Sequence, residues 1–541
     1  MRRRDFLAAS SLPLAGCQPA QPMLEGGFHG VDQVRGHRLR APLPASAPTV
    51  TRRTGVLIAG AGVAGLAAAR ALRQRGIEDF AVLELEDQPG GNSRSTELGV
   101  MACPLGAHYL PLPGPTAHEV QDLLEDLGLR RRVAGRWEYD ERHLCHSPQE
   151  RLYFRGAWQD GLLPVHDVGV PTLAQYQRFA TLVAQARHTG NWSLPSTRGR
   201  RSASQRAWST ITFQAWLDQN GLIDPQLRWY LDYCCRDDYG AGMATVSAWA
   251  GLHYFASRHG FHVPGSGVSE AEPVLTWPEG NAWLVTRLAR PLQQGAVARL
   301  HGGRIVLRIA QTKHGVELDA LDARSGALER WQARHCIVAL PLLAALRAVQ
   351  SPPEFLRSAA LAVRYAPWLV ANIELAGPLA DRGGAPPSWD NVIHGDATSA
   401  PGLGYVDAMH QSLRSVPGPT VLTYYRSLGD LPDARRLLLE QPWQAWRDAI
   451  FAELKTAHPD LPAKARRVLL TRYGHAMAIP VPIALGQAGR DVLALPDRGS
   501  GWPGFGLVDG RLRFAHSDWA GYSVFEEAFT LGHAAAMALR L

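Results

Sequence analysis

The chain has 541 residues, 46% hydrophobic and 19% charged, which excludes a disordered protein and a multi-span membrane protein and asks for two or more domains. Its formal charge of +7 rests on arginine, because lysine occurs only at Lys313, Lys455 and Lys464; pairs such as Arg435–Arg436 and Arg466–Arg467 read as solvated helix faces, not as a nucleic-acid surface. The six cysteines form no CxxC, CxxCH or Cys/His cluster, which speaks against c-type haem, structural zinc and a redox dithiol.

The chain opens Arg2-Arg3-Arg4-Asp5-Phe6-Leu7, followed by a short apolar run and Leu14-Ala15-Gly16-Cys17. The twin arginine resembles a bacterial Tat export signal, and the small residues before Cys17 resemble a lipoprotein cleavage site. The apolar run is too short to span a bilayer as a helix. The resemblance implies export by the Tat machinery of an already folded, cofactor-loaded protein. It also implies a periplasmic, membrane-anchored bacterial lipoprotein with its lipid on Cys17. Residues 18–50, rich in Pro, Gly, Ala and Gln and without helical or strand period, read as a tether.

Residues 54–59 are an apolar run suited to a buried parallel strand. The loop Gly60-Ala61-Gly62-Val63-Ala64-Gly65 follows, then helix formers over 66–75, then a second apolar strand, Phe80-Ala81-Val82-Leu83, ending at Glu84. Gly60 permits a tight turn, Gly62 lets backbone approach a pyrophosphate, and Gly65 lets the helix pack on the strand. The helix N-terminus offers free N–H groups and positive dipole to phosphate, and Glu84 is spaced to hold ribose hydroxyls.

Further on stand Glu86-Asp87-Gln88-Pro89-Gly90-Gly91-Asn92-Ser93-Arg94 and Gly106-Ala107-His108-Tyr109. Pro278-Glu279-Gly280-Asn281-Ala282-Trp283-Leu284 and Cys336-Ile337-Val338-Ala339-Leu340-Pro341 come later. The chain closes with Arg513-Phe514-Ala515-His516-Ser517-Asp518 and Val524-Phe525-Glu526-Glu527-Ala528. Together these resemble the flavin amine oxidase and phytoene desaturase superfamily over about half the chain. The resemblance implies FAD, with Gly91 and Arg94 beside its pyrophosphate and Gly106, Ala107 and His108 near the isoalloxazine. Asp518 is then expected on the ribitol and Phe525 at a helix start facing the pyrimidine end of the ring. Asp518 stands where the family usually has Glu, Glu527 where it has Gly, and Asn92 separates the double glycine from its arginine. With no second GxGxxG, no nicotinamide site is expected. With no cysteine between Arg498 and Phe505, the FAD is expected to be noncovalent.

The fold expected is α/β: a Rossmann-like FAD-binding domain of amine oxidase type with an interleaved α+β substrate domain. Residues 1–17 are assigned to the signal peptide, 18–50 to the linker, and 51–115, 276–345 and 491–541 to the FAD-binding domain. Residues 116–275 and 346–490 are assigned to the substrate domain. In this chemistry the flavin takes a hydride from the carbon beside an amine nitrogen, so the protein needs to orient the substrate and exclude water. Tyr522, Trp502 and His475 are the candidates for the substrate pocket. Arg236-Asp237-Asp238-Tyr239-Gly240 reads either as a lure for a cationic amine or as a helix end with Asp caps. Three functions fit: an amine or polyamine oxidoreductase, a desaturase or isomerase of an apolar, carotenoid-like substrate, and a flavin-binding periplasmic protein without turnover. Oxygen, quinone and a periplasmic cytochrome all fit as electron acceptor.

Overall fold

The computed structural model describes residues 24–42, 47–258, 260–264, 273–294, 298–395, 402–483 and 507–540. Residues 1–17, where the leader and Cys17 anchor are expected, and Trp502 lie outside them. The molecule is built on two large sheets. The first has six strands in the order Leu300–His301, Phe80–Leu83, Val56–Ala59, His335–Val338, Leu512–Phe514 and Leu507–Asp509. All neighbours are parallel except the last pair. Val56–Ala59 and Phe80–Leu83 are buried at every position, as an unbroken apolar run must be when both faces of a sheet are covered. Helices Val63–Gln74, Ala282–Gln293 and Phe525–Met537 pack on one face. A four-stranded sheet (Arg304–Gln311, Val316–Asp322, Leu328–Ala333, Val50–Arg53) and helix Leu342–Ala348 cover the other. This is the expected α/β class.

The second sheet has eight strands, in the order Glu25–Phe28, Ala465–Ile479, Arg364–Leu375, Thr420–Ser427, Tyr405–Asp407, Asp390–Ile393, Glu150–Phe154 and Ala157–Asp160. Strand Arg364–Leu375 is buried on both faces, and its alternation assigns each residue to one of two cores. Ala366, Trp368 and Val370 face helices Val170–Thr189, Phe213–Gln219, Pro225–Tyr239 and Ala248–Ala256. Leu369, Ala371, Ile373 and Leu375 face Ala434–Glu440 and Trp443–Leu454. The described cysteines are free thiols, Cys103, Cys234, Cys235 and Cys336 buried and Cys145 half-buried. Among the described residues no helix is long and apolar enough to cross a membrane.

The tether reading of residues 18–50 needs correcting for 24–42. Glu25–Phe28 runs parallel to Arg467–Leu470 as an edge strand, and Asp32 caps helix Gln33–Arg38. Arg467 pairs with Glu25 at 3.1 Å, and the Arg472 guanidinium lies 3.6 Å from the Phe28 ring centroid. Strand addition at an edge needs backbone hydrogen bonds, not an apolar period, so composition carried no sign of it.

The two halves are fastened at Glu527, which is 0% exposed. Its Oε1 accepts from Tyr522 Oη (2.8 Å), from Ser196 Oγ (2.7 Å) and from the Ser196 N–H; its Oε2 accepts from Thr197 Oγ1 (2.9 Å). The carboxylate that replaces the family's glycine is thus a clamp between the closing helix and the 193–198 segment. Glu527→Ala should leave these donors unpaired and lower stability by about 2–4 kcal/mol. Thermal melting of the flavin-loaded protein checks this; an unchanged midpoint would remove the clamp from the account.

Candidate functional site

A cavity of about 490 Å³ opens between the two sheets. One half of its wall is the glycine loop. Gly60 turns at φ +97°, a conformation open to glycine, and a Cβ on Gly65 would stand 1.9 Å from the Gly60 carbonyl oxygen. Gly62 is the N-cap of Val63–Gln74 and supplies no side-chain cap. A Cβ there would meet nothing within 4 Å, so open space lies against the backbone where the helix N-terminus presents its N–H groups. Gly60, Gly62, Val63, Ala64 and Glu84 line this half; Ala61 and Gly65 sit just behind it.

Glu84 shapes the loop as well as facing the cavity. Its Oε2 accepts from the Ala61 N–H (2.8 Å) and its Oε1 from the Glu86 N–H (3.0 Å). Burial raises its pKa, and these two N–H groups oppose the rise. The double glycine is tied in by the Gly90 N–H, which donates to Ala61 O at 2.8 Å. Gly91 lines the cavity at φ +58°. Arg94 does not line it. Its Nε donates to Gly91 O (3.1 Å) and its guanidinium lies 3.6 Å from Glu86, so it braces the turn from behind. The extra residue, Asn92, takes the place on the wall.

Gly106, Ala107 and His108 line the opposite wall. A Cβ on Gly106 would stand 2.3 Å from Asn92 O, and the Ala107 N–H donates to that oxygen at 2.9 Å. The His108 ring stacks on Tyr425 with centroids 4.4 Å apart, and burial pushes its pKa down to about 3, so the imidazole is neutral. Phe525 lines the cavity at the start of the closing helix and stacks on Phe529.

Three expectations are corrected. Asp518 is 1% exposed and lies behind the wall that His516 and Ser517 form. Its Oδ2 accepts from the Leu342 N–H (3.1 Å) and Tyr365 Oη, and its Oδ1 lies 3.1 Å from His516 Nδ1. Burial alone would raise its pKa; the His516 charge and these hydrogen bonds outweigh it and hold the carboxyl below its ordinary value. Tyr522 is fully buried on Glu527, edge-on to Tyr239 at 6.0 Å, and is not part of the cavity wall. His475 is exposed, edge-on to Tyr365 at 5.5 Å; its neighbours Ala476 and Met477 line the cavity instead. An adjacent aromatic or histidine in sequence does not reveal which way the backbone turns it.

The substrate-side wall holds Tyr109, Trp368, Tyr425 and Tyr473 and four charged groups: Asp237, Asp238, Arg258 and Glu526. Asp237 and Asp238 are not caps. The N-cap of Pro225–Tyr239 is Asp224, and the two acids occupy the last turn, where the helix dipole disfavours a negative charge. Asp238 is held there by Arg258 Nη2 at 2.9 Å. Burial raises Asp237 and Glu526 to about 7, against Arg258. Glu526 lies inside the 524–528 motif, so its neighbourhood was legible in sequence. Arg258, Trp368 and Tyr425 come from elements with no motif.

Comparison with known proteins agrees with this geometry. A curated Drosophila lebanonensis protein, anon-37Cs, is 36% identical over 87 residues, an alignment spanning 16% of this chain and 16% of that relative. Putrescine oxidase, solved with putrescine bound, shares the fold with a TM-score of 0.63 at 17% identity, over 90% of this chain and 99% of that one. Cyclohexylamine oxidase from Brevibacterium oxydans IH-35A gives 0.62 at 17% over 90% and 98%. A CLA-producing fatty acid isomerase from P. acnes gives 0.56 at 14% over 89% and 97%. The profile of the flavin-containing amine oxidoreductases matches residues 63–540, and the chain belongs to that family.

Proposed function

We propose that this protein uses noncovalent FAD to oxidise an amine or polyamine, by hydride loss from the carbon next to nitrogen. The observation that carries the reading is that one cavity joins the dinucleotide cradle of Gly60, Gly62 and Glu84 to a wall bearing Asp237, Asp238 and Glu526. Bound there, FAD supplies the hydride acceptor. The rest falls to the chain. The first turn of Val63–Gln74 receives the pyrophosphate, Glu84 the ribose, and the 106–108 segment and Phe525 flank the ring. Aromatic side chains at 109, 368, 425 and 473 position the substrate and exclude water. The carboxyls draw in a cation, and neutral His108 adds no competing positive charge.

Turnover of an apolar substrate is the second reading, supported by Leu110, Pro111 and Val370 on the same wall; the buried acids there weigh against it. Residues 1–17 are read as a Tat and lipoprotein leader that places the protein in the periplasm, anchored at Cys17. Oxygen, a quinone or a periplasmic cytochrome then reoxidises the flavin.

Anaerobic addition of putrescine, spermidine or tyramine is expected to bleach the flavin absorbance, and a carotenoid to leave it unchanged; no bleaching by any amine would reject amine oxidation. Glu84→Ala should weaken FAD retention at least about tenfold, through loss of the ribose acceptor and of the Ala61 tie. The ratio of flavin to protein absorbance after gel filtration reads this, and full occupancy would contradict the ribose role.

A further inference from the structure

Four charged side chains share the substrate-side wall, and two of them satisfy each other. Asp238 accepts from Arg258 at 2.9 Å, and the Arg258 guanidinium lies 4.7 Å from the Tyr254 ring centroid. Glu526 and Asp237 are left over. Glu526 is 2% exposed, and its Oε1 is a buried acceptor with no partner among the described residues. Around Asp237 stand the charges of Asp238, Arg258, Arg236 and Asp390, and no hydrogen bond reaches it from the described residues. Glu526, with one oxygen buried and unpartnered, and half-buried Asp237, with no hydrogen bond, put two under-satisfied carboxyls on one wall, which calls for positive groups that arrive with a guest.

The two acids also come from opposite sides. Glu526 follows Ser523, Val524 and Phe525 at the start of the closing helix. That helix rests on the dinucleotide loop so closely that a Cβ on Gly532 would stand 2.0 Å from Ala64 O. Asp237 belongs to Pro225–Tyr239, in the helical layer of the second sheet.

We propose that these two carboxyls form a two-point site for a dicationic amine: Asp237 holds the distal ammonium, and Glu526 accepts a proton from the nitrogen to be oxidised. This rests on the amine reading above. In the proton step one N–H bond of the near ammonium breaks and one O–H bond forms on Glu526, so an ion pair becomes a neutral amine and a carboxylic acid. The freed nitrogen lone pair is what hydride loss from the adjacent carbon requires.

The surroundings set the pH range. For Glu526, burial, Asp238 and Glu527 favour the protonated form, and its own backbone N–H and Arg258 oppose it, giving about 7. For Asp237, burial and Asp238 act against Arg258 and Arg236, also giving about 7, and Asp390 lies within reach of the same charge. Both acids therefore hold protons below that pH, and dication binding and flavin reduction should fall as pH drops through it.

The test is anaerobic flavin reduction in the full, FAD-loaded protein, with putrescine compared to butylamine across the neutral range. Putrescine is expected to exceed butylamine at least about tenfold in reduction rate over apparent Kd. Asp237→Asn should cost putrescine at least about tenfold more than it costs butylamine, which erases that preference. Glu526→Gln should slow both amines about 10²-fold and, for butylamine, replace the limb near pH 7 by a rise toward the amine's own ionisation. A β,β-difluorinated butylamine, whose ammonium ionises far closer to neutrality, should lose less rate than butylamine in Glu526→Gln, each taken against its own wild-type rate.

Calorimetry on the wild-type protein with reduced flavin gives a readout free of turnover and of folding defects. Measured in two buffers of different ionisation enthalpy, putrescine should release more than one proton near pH 6.5 and close to none near pH 8.5. Amine reduction without a putrescine preference, a butylamine limb near pH 7 that survives in Glu526→Gln, or no proton release near pH 6.5 would each overturn the two-point site alone. No reduction by either amine would overturn it together with the amine reading.

Discussion

Helix Val63–Gln74 is held by two backbone contacts that tolerate no side chain. On one side Gly65 lies against the carbonyl of Gly60; on the other Gly532 of the closing helix lies against the carbonyl of Ala64. The first contact seats the helix on the central strand and aims its N-terminus at the cavity. The second brings the closing helix, with Phe525 and Glu526 in its first turn, against the same loop. Residues more than 460 positions apart, such as Ala64 and Phe525, therefore border one cavity because two glycines let three backbones meet.

This arrangement explains why the nucleotide end was legible in sequence and the substrate end was not. The loop from Gly60 to Gly65, the double glycine and the closing segment obey backbone requirements, which restrict residue type at fixed spacing. Substrate-side groups obey no such rule. Trp368 and Tyr425 reach the cavity from long strands whose apolar alternation predicts a core, and Arg258 follows a helix end that carries no motif. Tyr522, beside the closing motif, and His475, on the returning substrate-domain segment, are the expected pocket residues, and a turn of backbone puts one inside the core and the other on the surface. Asp518 failed more instructively: its carboxylate stays in the site's frame, capping Leu342 and orienting His516, one layer behind the wall.

Departures from the family pattern turn out to be coupled. Glu527 replaces a glycine and is satisfied by nearby Tyr522 and by Ser196 and Thr197, which come from the distant 193–198 segment. Asn92, inserted after the double glycine, donates through Nδ2 to Ala476 O at 2.6 Å and joins the loop to the long strand Ala465–Ile479. In each case a polar group added at the nucleotide end finds its partner on the substrate side, so the cavity is stitched across its seam by residues that a motif search would score as mismatches.

The strand Glu25–Phe28 covers one edge of the eight-stranded sheet. Without it, the backbone of Arg467–Leu470 would face solvent as an unpaired template, next to a strand buried on both faces. A recombinant chain begun at the dinucleotide loop would keep every cavity residue and still offer that edge to a second molecule. The practical start of the folded unit therefore lies no later than residue 25, and the segment before the loop is an edge protector.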